Sequence, residues 1–348
     1  MREGYVFARG ANDNKGQHLA AVKALEYWLA LGGPPVNVRV LVEGEEEISG
    51  KSLPQLLRAR SAELASDYVL IADGSFPLEG RPYLTAGLRG ILYTEIEVAG
   101  ADVDLHSGSF GGIAPNPFNS LAHIVAGLKD RDGRIHLPGL MQGVASPSEE
   151  EIISWQRLAL DEGAQLRAVG LPEAVGEPGY TDLERLWTRP TLDVHGVMGG
   201  FVGVGEKTVI PARARAKVSM RLVPGQSPER VLELLRARVA ELATPGTRAR
   251  VIELSSAPPV LIDTRHRGIE AASRAFEAAF GTPPVLTREG ASIPVTVDFA
   301  EAAKTGLIVT GFGLPGDRLH SPNERMNLEQ FHRSTVMVIH LLDELARV

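Results

Sequence analysis

The hydrophobic positions follow one pattern at both ends of the chain and another in the middle. Near the start, apolar runs of strand length at 36–42 and 68–72 alternate with an apolar stripe at helical spacing, formed by Leu19, Val22, Leu25 and Leu29. From residue 258 the alternation returns, with helices predicted at 268–280 and 328–347 and strands at 285–287 and 307–310. Strands that alternate with helices form a parallel-type sheet with helices on its faces. The two ends therefore predict one α/β domain.

The middle of the chain has a period of two. Runs at 92–98 and 214–222 alternate apolar with polar residues, which is typical of an antiparallel sheet with one face in water. An amphipathic helix at 228–242 and a strand at 249–254 complete an α+β pattern. We therefore predict an α+β domain at 86–257, inserted into an α/β domain made of 1–85 and 258–348.

Composition narrows the chemistry. The 348 residues contain no cysteine, so any metal must be bound by Asp, Glu and His. The formal charge of -7 has interspersed signs and offers no basic face to nucleic acid. No apolar run reaches the ~20 residues that cross a bilayer, and the first residues do not resemble a secretory signal. We expect a cytoplasmic protein with neither nucleic acid nor membrane as a partner.

Acidic residues gather where the predicted strands end. Glu46 and Glu47 follow the run at 36–42, Asp73 follows the run at 68–72, and Asp13 lies in a turn that enters a helix. Ligands of open parallel sheets bind beyond the carboxyl ends of the strands. Crowded carboxylates are tolerated when cations neutralise them or when one keeps its proton. The pattern predicts a converging site, with a solvated acidic turn as the alternative for the glutamates.

Several short motifs occur in a fixed order on these elements. They are D-x-K-G at Asp13, the pair Glu46-Glu47, Asp73, KTVIPARA at 207–214, SMRLVPGQ at 219–226, REGASIPVT at 288–296 and H-S-x-N-E at His320. With them the chain resembles the M20 metallopeptidases, and in particular their carnosinase-like dipeptidase branch. The resemblance implies a catalytic α/β domain interrupted by a lid and dimerisation domain. It also implies hydrolysis of peptide bonds in dipeptides or short peptides.

The resemblance also assigns the metal ligands. Asp13 would bridge two divalent ions, with Glu47 and His320 completing one site and Asp73 belonging to the other. Zn²⁺ is the expected ion, and Mn²⁺ and Co²⁺ are the alternatives. Glu46 would act as general base on a water that bridges the ions. The peptide bond between Asp13 and Asn14 would be cis. In the simpler interpretation, Glu46-Glu47 is a surface pair and His320 an ordinary loop histidine.

Substrate contacts follow from the same resemblance. His106 would reach the active site of the other subunit in a homodimer formed through the insert, and would stabilise the oxyanion. The remaining predicted substrate contacts are Arg221 and Arg288 for the terminal carboxylate, Gly290 and Ser292 beside it, and Asn116 and Thr208 from the lid. Without the resemblance, the sequence predicts that His106 is an exposed loop residue and that Arg221 lies on the solvent-facing side of a strand.

One family feature is missing from the sequence. An earlier strand ending in H-x-D, whose His would be a ligand of the Asp73 site, has no counterpart here. We therefore expect a chain that lacks an N-terminal segment, with uncovered apolar surface and weakened activity. Two other functions remain open: an N-acyl-amino-acid or carbamoyl amidohydrolase on the same scaffold, and a non-catalytic dimeric remnant of such an enzyme.

Overall fold

The computed structural model describes residues 2–48, 52–158, 161, 163, 166–167, 169–290, 296, 299 and 306–348. They form a mixed α/β fold in which helices pack on parallel strand pairs and an antiparallel sheet occupies the middle of the chain. The predicted fold class is confirmed. The helices described are each too short or too polar to span a lipid bilayer.

The described elements are numbered in chain order. The helices are α1 Lys15–Ala30, α2 Ser52–Ala59, α3 Ser61–Leu64, α4 Ser107–Phe110, α5 Pro117–Leu128, α6 Glu149–Leu158, α7 Asp182–Trp187, α8 Pro228–Leu242, α9 Arg267–Phe280 and α10 Leu328–Leu345. The strands are β1 Tyr5–Phe7, β2 Tyr68–Ala72, β3 Tyr83–Leu88, β4 Gly90–Ala99, β5 Leu105–His106, β6 Thr191–Gly199, β7 Val209–Ile210, β8 Arg213–Leu222, β9 Arg248–Ala257, β10 Val260–Leu261, β11 Val285–Glu289, β12 Gly306–Thr310 and β13 Arg325–Asn327. A 3-10 turn covers Glu46–Ile48.

The α/β layer is built on parallel pairs. β2 pairs with β12, and β3 pairs with β11. Thr310 connects the two pairs, because its backbone oxygen accepts from Asp73 N (2.8 Å) and its Oγ1 donates to Tyr83 O (2.6 Å). Helices α9 and α10 cover these strands around a buried core that includes Phe276 and Met337. The sequence did not predict β3, since all six of its residues are buried and give no alternation.

The inserted sheet has the strand order β6-β8-β4-β9, with all neighbours antiparallel. Ile96 on β4 lies opposite Ala216 on β8 and Val251 on β9. The period of two brings these apolar residues to one face, where Ile124 of α5 and Leu235 of α8 complete the core. The middle of the chain thus has the α+β arrangement predicted from its pattern.

Two parts of the predicted insert belong elsewhere by packing. Trp155 and Leu158 of α6 and Trp187 of α7 join the core of the α/β layer. The Trp155 and Trp187 rings meet edge to face, with centroids 5.2 Å apart. In addition, β3 runs across the boundary predicted at residue 85. The domain boundaries stay a prediction, and these contacts show that the insert is less separate than its sequence pattern indicates.

The predicted strand at 36–42 is wrong. These residues are not part of a strand, and Val40 and Val42 are 61% and 68% exposed. A strand needs a hydrogen-bonding neighbour, and within the described ranges β2 pairs with β12 instead. Helix α1 forms as predicted but turns its small residues Ala20 and Ala24 inward, and it packs along α10. Three large apolar residues of its stripe, Leu19, Val22 and Leu29, are exposed.

Candidate metal centre

Three side chains from remote segments meet at one point. His320 Nε2 lies 2.7 Å from Asp13 Oδ2 and 3.2 Å from Glu47 Oε2. One potential ligand atom from each residue lies within 4.8 Å of the others. Two carboxylates and one imidazole are a donor set that Zn²⁺ and Mn²⁺ accept. The geometry therefore fits a divalent cation, which would also relieve the repulsion between the carboxylates.

Each of the three candidate ligands lies in a different type of local structure. Asp13 lies in the turn before α1, and its peptide bond to Asn14 is cis, as predicted. The Asn14 side chain donates to Ala72 O (2.9 Å), which ties this turn to the end of β2. Glu47 lies in the 3-10 turn, and His320 lies in the loop between β12 and β13. The site thus forms beyond the carboxyl ends of β2 and β12.

Asp73 and Glu46 belong electrostatically to the same acidic cluster. Burial raises the pKa of Asp73 to about 6, with Asp13 and Glu46 adding to the effect. Burial also raises the pKa of Glu46, and the neighbouring charges of Glu47 and Asp13 act in the same direction. Both pKa shifts therefore reflect burial first and the crowding of negative charge second. In the described structure the three-residue ligand set does not include Asp73 or Glu46. The charges of that set nevertheless act on the pKa of both residues.

The insert brings two of the predicted substrate residues together. His106 Nε2 lies 3.4 Å from Thr208 Oγ1, where β5 pairs with β7, and His106 Nδ1 accepts from Gly108 N (3.0 Å). His106 is exposed. Asn116 instead caps α5, where its side-chain oxygen accepts from Phe118 N (2.9 Å). The substrate roles of these residues stay predictions.

Two predicted substrate residues, Gly290 and Arg221, each lie near the buried Arg89. The buried Arg89 donates through Nε to Gly290 O (3.0 Å). Burial is the main cause that lowers the pKa of Arg89 to about 10, and the nearby charge of Arg221 acts in the same direction. Arg221 and Gly290 were predicted, whereas Arg89 was missed. No sequence signal pointed to Arg89, because β3, the strand that ends beside it, was itself not predicted.

Arg288 lies in a different environment from the one expected. It is buried, and its Nε and Nη2 donate to the two carboxylate oxygens of Glu151 at 2.6 and 3.0 Å. To bind a substrate carboxylate, Arg288 would have to leave this bidentate pair. The structure therefore gives the predicted substrate contact no support. Ser292, predicted beside it, lies outside the described residues.

Buried polar residues behind the ligands were missed altogether. Asn12, Gln17, Asp317 and Glu324 are each between 0% and 2% exposed, and they link the turn of Asp13 to the loop of His320. Glu324 is the last residue of the H-S-x-N-E motif, so the motif itself carried a signal. Its position four residues after His320 does not reveal that its partner is the Asp13 turn.

Comparisons with known proteins point to one family. The model of peptidase family M20/M25/M40 matches residues 1–344. The Cys-Gly metallodipeptidase dug1 of Schizosaccharomyces pombe is 34% identical, over 99% of this chain and 74% of its own length. Human Beta-Ala-His dipeptidase is 31% identical, over 99% of this chain and 69% of its own. The crystal structure of an M20 family metallo-carboxypeptidase, Sso-CP2 from Sulfolobus solfataricus, superposes with a TM-score of 0.88 at 28% identity and covers 100% of this chain and 79% of that one.

Proposed function

The chain belongs to peptidase family M20/M25/M40, and we propose that it hydrolyses dipeptides at the centre formed by Asp13, Glu47 and His320. The observation that carries the proposal is the convergence of these three ligands from remote segments. The names of two relatives support the substrate class, since one is a Cys-Gly metallodipeptidase and the other a Beta-Ala-His dipeptidase.

We propose two divalent ions, with Zn²⁺ expected and Mn²⁺ or Co²⁺ as alternatives. Asp13, Glu47 and His320 would hold the first, and Asp13 with Asp73 would contribute to the second. Such ions supply Lewis acidity toward the peptide carbonyl and lower the pKa of water. The raised pKa of Asp73 supports this assignment, because a carboxylate that resists ionisation among like charges gains most from a nearby cation.

Glu46 is the proposed general base. Its carboxylate takes a proton from the attacking water as the water oxygen bonds to the carbonyl carbon. The carbon–nitrogen bond then breaks, and Glu46 returns the proton to the departing amine nitrogen. Crowding by neighbouring carboxylates raises the pKa of Glu46 beyond the effect of burial, which brings its proton affinity closer to what a proton shuttle needs.

The insert supplies the remaining proposed parts. We propose a homodimer in which His106 of one subunit donates a hydrogen bond to the oxyanion in the other subunit. Strand β6 supports the proposed dimer, because it lies at the edge of its described sheet, where a second subunit could pack. Its residues Val197 and Met198 are 49% and 61% exposed. Arg221, near the charge of Arg89, is the proposed holder of the substrate carboxylate. The cytoplasm remains the proposed compartment.

Metal reconstitution tests the proposal. The protein is stripped with a chelator and titrated with Zn²⁺, Mn²⁺ or Co²⁺, and hydrolysis of Cys-Gly and β-Ala-His is followed. We expect activity that requires metal, and kcat that falls ~10²–10⁴-fold in E46Q. The matched control is E45Q, because Glu45 bonds to Ser52 and lies outside the ligand set.

The same experiment separates the alternatives. Preferential cleavage of N-acetyl amino acids would identify an amidohydrolase instead of a dipeptidase. Metal binding without hydrolysis of either substrate class would favour the non-catalytic dimeric remnant. A protein that binds no divalent ion would refute the proposed centre itself.

A further inference from the structure

Glu324 is a carboxylate buried directly behind the ligand set. It is 2% exposed, and both of its oxygens accept backbone hydrogen bonds from the turn that carries Asp13. Oε2 accepts from Gly10 N (2.8 Å), and Oε1 accepts from Asn12 N (3.0 Å) and Asp13 N (2.9 Å). A carboxylate bound by several backbone donors fixes the conformation of the turn around it.

The same carboxylate is connected indirectly to the other two proposed ligands, His320 and Glu47. Glu324 follows His320 by four residues, so one short loop carries both. Arg9 Nη1 donates to Glu324 Oε2 (3.1 Å), while Arg9 Nη2 donates to Glu47. Glu324 therefore touches the Asp13 backbone directly, shares a loop with His320, and contacts Glu47 through one arginine. Its own oxygens are already occupied, so Glu324 does not serve as a further metal ligand.

A second set of buried hydrogen bonds holds the loop in place. Asp317 Oδ2 accepts from Asn12 Nδ2 (2.7 Å) and from Leu314 N (2.8 Å). Asp317 and Asn12 are 1% and 0% exposed. The turn before α1 and the loop after β12 are thus joined by side chains on both sides of the contact, and neither segment can shift alone without leaving a buried polar group unpaired.

The network also extends to the segment of Asp73. Gln17 donates through Nε2 to Asn12 Oδ1 (3.1 Å) and to Gly74 O (3.2 Å). Its Oε1 accepts from Phe312 N (2.7 Å). Gly74 directly follows Asp73, so the network connects every segment that contributes a predicted ligand except the 3-10 turn, which it reaches through Arg9.

We propose that Glu324 is the positioning residue of the metal centre, which holds Asp13, Glu47 and His320 at binding separation through its hydrogen bonds to the Asp13 turn and to Arg9. This inference rests on the proposed metal centre and goes beyond it, because it assigns the arrangement of the ligands to the protein and not to the ion. Residues behind metal ligands act in this way when they orient them, and their loss commonly weakens metal binding ~10–100-fold.

The test is E324Q. Glutamine keeps the size of the side chain but replaces one acceptor oxygen by an NH₂ donor, so at least one backbone N–H of the turn meets a donor and not an acceptor. Affinity for Zn²⁺ and Co²⁺ is measured by calorimetric titration, together with the visible absorption of the Co²⁺ form, which reports on coordination. We expect affinity ~10–100-fold below that of the wild type and an altered Co²⁺ spectrum.

The matched control is E97Q. Glu97 is also buried, at 4% exposure, and it pairs with Arg215 and Arg250 in the inserted sheet, away from the ligands. We expect E97Q to lose stability while its metal affinity stays that of the wild type. Equal metal affinity in E324Q and wild type would overturn the inference, and so would an equal loss of affinity in E97Q.

A second variant keeps the test decisive if E324Q does not fold. E324D retains the negative charge but shortens the side chain by one methylene, so it can satisfy only part of the turn. We expect metal affinity between those of wild type and E324Q, and wild-type affinity in E324D would count against positioning. If the wild-type protein itself bound no divalent ion, the proposed metal centre would fail first.

Discussion

The buried pair between Arg288 and Glu151 permits a direct test of what Arg288 does. The side chains are 2% and 7% exposed, and the pair is bidentate. Burial alone would raise the pKa of Glu151, yet hydrogen bonds from Arg288 and from Ser148 N hold that pKa below its usual range. Glu151 also forms a reciprocal cap with Ser148 at the start of α6. The perturbations are therefore R288M and E151Q, because Gln can keep the cap while losing the charge.

The magnitude follows from burial. Removing one partner of a buried ion pair leaves an uncompensated charge and costs about 3–5 kcal/mol of unfolding free energy. In the double variant R288M/E151Q no charge remains, so its loss should be smaller than the sum of the single losses by at least ~2 kcal/mol. The control is R230M, since Arg230 forms an exposed pair with Glu233 and should cost less than about 1 kcal/mol.

The assay is urea unfolding of the four variants and the wild type, with KM for a dipeptide measured in parallel. The reasoning predicts R288M far less stable than R230M, with partial recovery in the double variant. If R288M instead unfolded at the midpoint of R230M and only its KM rose, Arg288 would be a substrate residue as the sequence predicted, and the structural role argued from its burial would be wrong.

Three further changes test other parts of the molecule. Burial raises the pKa of Glu289 to about 7, so the stability that its protonated carboxyl contributes is full below the unfolded pKa and is lost as pH rises through 7. E289Q should therefore be up to about 3 kcal/mol more stable than wild type at pH 8.5 and equally stable at pH 4. The same stability difference between E289Q and wild type in urea unfolding at both pH values would contradict this. A Cβ on Gly311 would lie 2.2 Å from the backbone of Gly74, so G311A should lower the unfolding free energy by at least about 1–3 kcal/mol. A Cβ on Gly196 would meet nothing within 4 Å, so G196A should lower the unfolding free energy less than G311A. Ser227 caps α8 by accepting from Arg230 N (3.1 Å) and also donates to Glu229 Oε2 (2.8 Å). S227A should cost ~1 kcal/mol and S227N, which keeps an acceptor and a donor, much less. Equal melting temperatures for the two would refute the cap.

Local pattern predicted the elements whose partners repeat the same signal. The inserted sheet is an example, because β4 and β8 each alternate with a period of two and their apolar faces meet in register, Ile96 opposite Ala216. Helix α8 begins and ends at the predicted residues, since Pro228 follows the capping Ser227 and an apolar stripe continues to Leu242. In these cases the information lies within one segment, and packing only has to agree with it.

Pattern failed where a partner outside the segment decides the outcome. The valines at 36–42 read as a buried strand, yet a strand exists only where a neighbour accepts its hydrogen bonds. The stripe of α1 predicted a helix correctly but not its buried face, because packing along α10 selects Ala20 and Ala24. Arg288 lies in a motif that resembles a substrate site, and only packing shows that Glu151, 137 residues earlier, is its partner in this structure; its substrate role stays a prediction.

For the proposed metal centre, the acidic residues of the sequence favoured a converging site, and the resemblance to the M20 metallopeptidases supplied the ligand types and their order. The tertiary structure decided which of them share one point, and that Glu324, Asp317 and Asn12 lie behind them. The physical reason is that ligand chemistry is a property of single residues, whereas distances between remote segments depend on how the layers pack and on which buried polar groups find partners.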